Sequence, residues 1–248
     1  MNQSFNITRV FLFIKRDLLL LRGTITSSLA VAAILIFLFS IFNMIWDKQL
    51  TSEEFVGIFT LVFIPMGLLF SFALFREFSS PKTNHLYLAL PVSTSERLLS
   101  KWITATLLYI VTISIIALAV GFIALLVGGI LFGANLDPLA LFSSSYWSIV
   151  GVYLFIQPIF MVGAMTFAKN RLVKTLLALG LLTLGFIVFH LILFGLLNGG
   201  FDVMPKNGMA SVSFIGADFS TVGRWFYGLL FGPFMLVVAY FKMKEKEV

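Results

Sequence analysis

The chain contains no cysteine. That excludes disulfides, thiolate metal sites and cysteine nucleophiles, and it leaves the redox compartment open. Charge is scarce too: Asp, Glu, Lys and Arg make up 11% of 248 residues, against roughly 25% in a soluble domain. None of the acids falls inside the long apolar runs. Ion pathways across a membrane usually carry buried carboxylates, so an inorganic ion is a poor expectation for a cargo. No HExxH, GxSxG or GxxxxGK[ST] pattern occurs. Lys82-Thr83 and Lys174-Thr175 lack the glycines of a phosphate-binding loop. Catalysis by this chain, including ATP hydrolysis, is therefore not expected.

What is present is apolar. Hydrophobic residues make up 60% of the chain, and mean hydropathy is +1.04. A helix of about 20 apolar residues spans the ~30 Å hydrocarbon core. Six such runs occur, near Thr24–Ile45, Phe55–Phe75, Trp102–Val127, Tyr146–Ala168, Thr175–Leu197 and Trp225–Phe241. The third can continue to Phe132. No long stretch alternates in polarity, which argues against an outer-membrane barrel. The expected fold is a single all-α transmembrane domain over residues 1–248.

Basic residues set the expected orientation. Fourteen of the 17 Lys and Arg fall on one side of the spans, at Arg9–Arg22, Arg76–Lys101, Lys169–Lys174 and Lys242–Lys246. Lys48, Lys206 and Arg224 fall on the other. Lys and Arg are retained on the cytoplasmic side, so both termini should be cytoplasmic. The net charge of +6 then reflects topology and not nucleic-acid binding. The first apolar run after Arg22 is too long for the core of a cleavable signal.

Residues 1–23 read as an amphipathic helix lying in the membrane interface. Ile7, Val10, Phe11, Ile14, Leu18 and Leu21 fall on one stripe, with Arg9 and Arg16 opposite. Residues 76–101 form the long cytoplasmic loop. Pro81 and Pro91 disfavour helix at the residues before them. Ser93-Thr94-Ser95-Glu96 matches a capping box, so a helix is expected from Thr94 into the third span. Arg97 and Lys101, four apart, are expected to share one cytoplasmic face.

Leu88–Trp102 reads LALPVSTSERLLSKW. With the six spans and the amphipathic N-terminal helix, it resembles permease subunits of the ATP-binding-cassette type-2, exporter-type transporters. In that family a Leu-Pro-small-polar stretch precedes a charged helix entering span three. Many members carry arginine where this chain has Thr94 or Ser95. The resemblance implies a bacterial inner-membrane protein that pairs as a homodimer or with a related permease. It implies docking on a separate cytoplasmic ATPase, which holds the ATP and Mg. It implies that the first cytoplasmic loop supplies the coupling helix, through Leu88, Leu90, Pro91, Val92, Ser93, Glu96, Arg97 and Lys101. Whether contact lies before or after Pro91 stays open.

Three further residues stand out. His190 is ionisable within a span, which suggests either a function or a bonded neutral imidazole. Gln157-Pro158 places an amide and a helix-breaking residue in the fourth span, as candidates for a conduit or gate. Pro65 and Pro233 interrupt spans two and six. Gly-xxx-Gly pairs at Gly129, Gly195 and Gly228 read as packing. Phenylalanine, leucine and isoleucine dominate the spans, so the expected cargo is hydrophobic or amphiphilic. Two other readings remain: a non-transporting accessory or immunity protein, and an ion-coupled secondary transporter.

Overall fold

Thr51 and Ser93 each open a long helix in the same way. Their hydroxyls accept from the backbone N–H of Glu54 and Glu96, and those carboxylates reach back to the cap N–H. Asn6 opens the first helix, accepting from Thr8 N–H at 2.9 Å. In the computed structural model the described residues are 5–79, 92–135, 139–167, 169–201 and 232–245. Within the last long helix, the side chains of 186, 190, 191 and 193–201 fall outside that set.

The described residues are helical throughout their regular structure. α1 is Ile7–Leu20, α2 Arg22–Asp47 and α3 Ser52–Leu74, followed by a short 3-10 turn at Arg76–Ser79. α4 runs unbroken from Thr94 to Phe132; its ladder widens to i→i+5 over Thr104–Leu108. α5 is Ser144–Thr166, α6 is Arg171–Phe201, and α7 covers 232–245. Five of these, α2 to α6, are long and apolar enough to cross a membrane. The protein is a multi-pass helical membrane protein. The third span reaches Phe132 and is continuous with the capped helix, as the sequence allowed. Of the sixth expected span, 225–231 lie outside the described residues.

Two apolar cores hold the bundle. The first stacks Phe59, Phe63, Tyr109 and Tyr153, with ring centroids 4.9 Å apart for Phe59–Phe63 and Phe63–Tyr153. The second gathers Phe13, Leu74, Phe75, Ala105, Met161 and Met165 with Ala239 and Met243 of α7. Outer faces stay apolar, as at Leu38 and Phe42 of α2 and Leu177 and Leu181 of α6. Such faces suit lipid and not water.

Two ladder irregularities meet inside the first core. Pro65 removes one hydrogen bond from α3, and the π-segment loosens α4. Tyrosines bridge them. Tyr109 donates to Phe63 O at 2.6 Å, and Tyr153 donates to Ala105 O at 2.7 Å. Both rings lie over Gly67, where an added Cβ sits 2.5 Å from Tyr153 Cε2 and 2.7 Å from Tyr109 Cε1. Both rings are buried and held by those hydrogen bonds. Gly67→Ala is therefore expected to destabilise by about 1–3 kcal/mol. Thermal unfolding in detergent measures it, and an unchanged midpoint means that the tyrosines yield freely.

The stripe expected to face the membrane is divided. Val10 and Ile14 are buried within the protein, while Ile7 and Phe11 are exposed. Phe13 and Asp17 are buried in their place. The reason is tertiary: α1 packs on the first turns of α4, so the face presented to the protein is the one carrying Asp17.

Candidate functional site: an ionic cluster at the basic end

The N-terminal helix, the end of α3 and the starts of α4 and α6 meet at one end of the bundle. Most basic residues collect there; among the described residues, Lys48 alone stands at the other end. The last carbonyls of α3 lack partners within their own helix. Two cations from other helices supply them. Lys101 Nζ of α4 donates to Leu74 O at 2.8 Å, and Arg171 Nη1 of α6 donates to Phe75 O at 2.9 Å. Both charges also suit the negative end of the α3 dipole.

Lys101 is the centre of a larger cluster. Its ammonium lies 3.0 Å from Asp17 Oδ2 and 3.1 Å from Glu77 Oε2, and 5.8 Å from the Phe75 ring centroid. Arg16 closes the ring, with Nη2 at 2.6 Å from Glu77 Oε1 and Nη1 at 3.2 Å from Asp17 Oδ1. Two carboxylates and two cations thus face one another, and the local formal charge is zero. Lys101 is 1% exposed and Asp17 2%. Burying such charges is costly unless each is paired, and here each is. Burial pushes the Asp17 carboxyl above its ordinary value. Lys101 pulls it back, Glu77 adds to the rise and Arg16 opposes it.

A second contact ties α1 to α4. Glu96, fully buried, accepts from Asn6 N–H at 2.6 Å and from Ser93 N–H at 2.9 Å. Arg9 Nη1 lies 3.9 Å from it. The capping box read from sequence therefore has a further partner in the N-terminal helix.

The structure describes only some of the expected site residues. Leu88, Leu90 and Pro91 lie outside the described residues. Val92 packs against the second core, and Ser93 caps α4. Arg97 and Lys101 correct the sequence reading: at 3% and 1% exposure they share no open face. The i,i+4 spacing is kept, but α1 and the 76–79 turn cover the face it defines. Gln157 and Pro158 are buried in α5 and take no part in the ion pairs of the cluster. Both amide atoms of Gln157 lack a hydrogen-bond partner among the described residues. His190 lies on the backbone of α6, and its side chain is outside the described set. No three His, Asp or Glu gather as a metal site among the described residues.

Asp17, Glu77, Arg16 and Arg171 were not singled out from sequence. For Asp17 a signal exists: it is an acid in line with Val10 and Ile14 on a helix whose apolar face turns inward. Such a residue needs a buried cation, and Lys101 is that cation. Searches of family models, of curated proteins and of solved structures each return no match for this chain.

Proposed function

We propose that the chain is the permease subunit of an ATP-driven exporter, working with a separate cytoplasmic ATPase and moving a hydrophobic or amphiphilic cargo. The resemblance of Leu88–Trp102 to type-2 cassette permeases motivates it. One structural observation carries it further. Residues 80–91 depart at Ser79 and return at Val92, and the chain on both sides is fastened to the same cluster. Glu77 pairs with Lys101 and Arg16 before the loop, and Glu96 and Lys101 hold α1 and α3 after it. A push on the loop is then felt at once by α1, α3, α4 and, through Arg171, α6. That is what a coupling element needs: a partner's motion delivered to several spans and not to one.

In this reading the basic end faces the cytoplasm, both termini lie there, and the partner touches 80–91 and the exposed Ser95. Lys101 acts inside the cluster and transmits the movement; Arg97 and Lys101, both buried, do not contact the ATPase. The absence of cysteine makes single-cysteine variants clean probes. Ser95→Cys and Lys174→Cys are expected to react with a membrane-impermeant maleimide only in inside-out vesicles. Lys48→Cys is expected to react only in intact spheroplasts. Purification from the native membrane is expected to bring a P-loop ATPase in fixed ratio. A phenotype that survives a hydrolysis-dead ATPase favours an accessory role, and transport that follows a proton or sodium gradient without ATP favours a secondary transporter.

A further inference from the structure

Beside the ionic cluster, a half-open cleft lies between the α1–α2 junction, α3 and α4. Leu18, Ile25 and Leu29 form one wall, Met66 and Phe70 another, and Thr104–Ile113 the third. The lining is apolar apart from hydroxyls of Ser28, Thr104, Tyr109 and Thr112. Along α4 the wall extends roughly 14 Å at 1.5 Å per residue. It includes Thr104 and Leu108, the two ends of the π-segment, a helix irregularity that recurs at functional sites.

Its place in the bundle limits what can fill it. Every wall lies in the half of its helix nearest the basic end, and α2, α3 and α4 are all membrane-spanning by length and composition. An apolar slot at that depth faces acyl chains. At its rim the chemistry changes. Lys15 lies one turn before Leu18, and Arg22 one turn before Ile25; both are exposed. Neither joins the ion pairs of the Lys101 cluster. Asp17, the acid nearest in sequence, is held by Lys101 and Arg16, and so is Glu77. The rim therefore presents net positive charge above an apolar slot. Basic pockets between spans on the cytoplasmic side suit anionic lipid headgroups, and buried acyl methylenes add to the affinity.

We propose that this cleft binds one anionic phospholipid of the leaflet at the basic end, an acyl chain between α2, α3 and α4 and its phosphate at Arg22 and Lys15. The bound chain packs against Tyr109 and Phe70, which stack on each other at 5.9 Å. It thereby supports the joint between the π-segment of α4 and the Pro65 turn of α3. This rests on the membrane placement of α2–α4 and not on the identity of any ATPase.

The test uses the full chain in nanodiscs of phosphatidylcholine with phosphatidylglycerol at equal amounts. Native mass spectrometry after release is expected to retain about one phosphatidylglycerol per chain, enriched several-fold over phosphatidylcholine. The double variant Lys15→Gln/Arg22→Gln, altered only at exposed positions, is expected to lose the enrichment while still retaining lipid. Ser28→Phe fills the slot and is expected to lose retention of both lipids. A phosphatidylglycerol with a diazirine in its acyl chain is expected to label peptides containing Met66–Phe70 and Thr104–Thr112, which keeps the test open should Ser28→Phe misfold. Equal retention of the two lipids, with no change in the double variant, overturns the proposal and leaves ordinary boundary lipid. Labelling confined to the outer faces of α2 and α6 overturns it as well.

Discussion

Lys101→Met is expected to cost roughly 3–5 kcal/mol, the largest loss from any single charge removal in this chain. The variant leaves Asp17 buried beside Glu77 without the ammonium that faces both carboxylates. It also strips the donor from Leu74 O at the end of α3. Asp17→Asn is expected to cost less, because Glu77 still faces Lys101 at 3.1 Å. Lys101→Met/Asp17→Leu is expected to recover most of the loss, since an apolar replacement of a buried pair is often neutral and Arg16–Glu77 persists at 2.6 Å. Thermal unfolding of the four proteins in one detergent gives the ordering.

The pH dependence follows from Asp17, whose carboxyl is raised above the ordinary value of 3.8 chiefly by burial. The folded chain binds this proton more tightly than the unfolded chain. Stability from this group is therefore highest below the ordinary carboxylate value. It falls as pH rises toward the folded-state value and stays low above it. The Lys101→Met penalty should shrink on acidification, because Asp17 can then take a proton in place of its lost partner. The comparison between wild type and Asp17→Asn should move in favour of the variant as pH rises through that window. A Lys101→Met penalty that is flat across the window means that Asp17 is not the group left stranded.

Gln157→Leu is expected to do the opposite to stability. Both amide atoms of Gln157 are buried without a hydrogen-bond partner among the described residues. An unsatisfied buried polar group costs about 1–3 kcal/mol, so an apolar side chain of similar length should raise the unfolding midpoint. A costly amide next to Pro158, one turn from Tyr153 and one turn from Met161, is the kind of local conflict that functional sites keep. The expected signature is a more stable protein with slower cargo movement. A stable variant with unchanged transport makes Gln157 a tolerated defect, and a destabilised one means that the amide has a partner in the folded chain.

How much of this was legible in the residues depends on how local each feature is. The five long helices follow from hydropathy alone, because lipid accepts only a segment that satisfies its own backbone. The Ser93–Glu96 cap is set within four residues, and its reading holds. The face of Lys101 is not local. Spacing from Arg97 fixes a side of the helix but says nothing of what packs there, and α1 packs there. The exposure of Ile7 and Phe11 has the same origin. Their stripe suits a membrane surface, whereas the helix turns Asp17 and Phe13 inward to meet α4 and the second core. The π-segment at Thr104–Leu108 has no residue signature; Tyr153, 48 positions away, reaches into it at Ala105 O. The cluster itself needed four segments brought together, and of its ion-paired members only Lys101 lies in the Leu88–Trp102 stretch.

The most direct test of the central claim is the ATP hydrolysis rate of the partner ATPase in nanodiscs, alone, with the wild-type chain, and with Lys101→Met/Asp17→Leu. The wild-type chain is expected to bind the ATPase and change its rate severalfold. The double variant, folded but without the Lys101 link from α4 to α1 and to the end of α3, is expected to bind equally and to change the rate clearly less than the wild-type chain does. Equal rates with wild type and double variant contradict transmission through the cluster. A partner ATPase that neither binds the wild-type chain nor responds to it contradicts the permease reading itself.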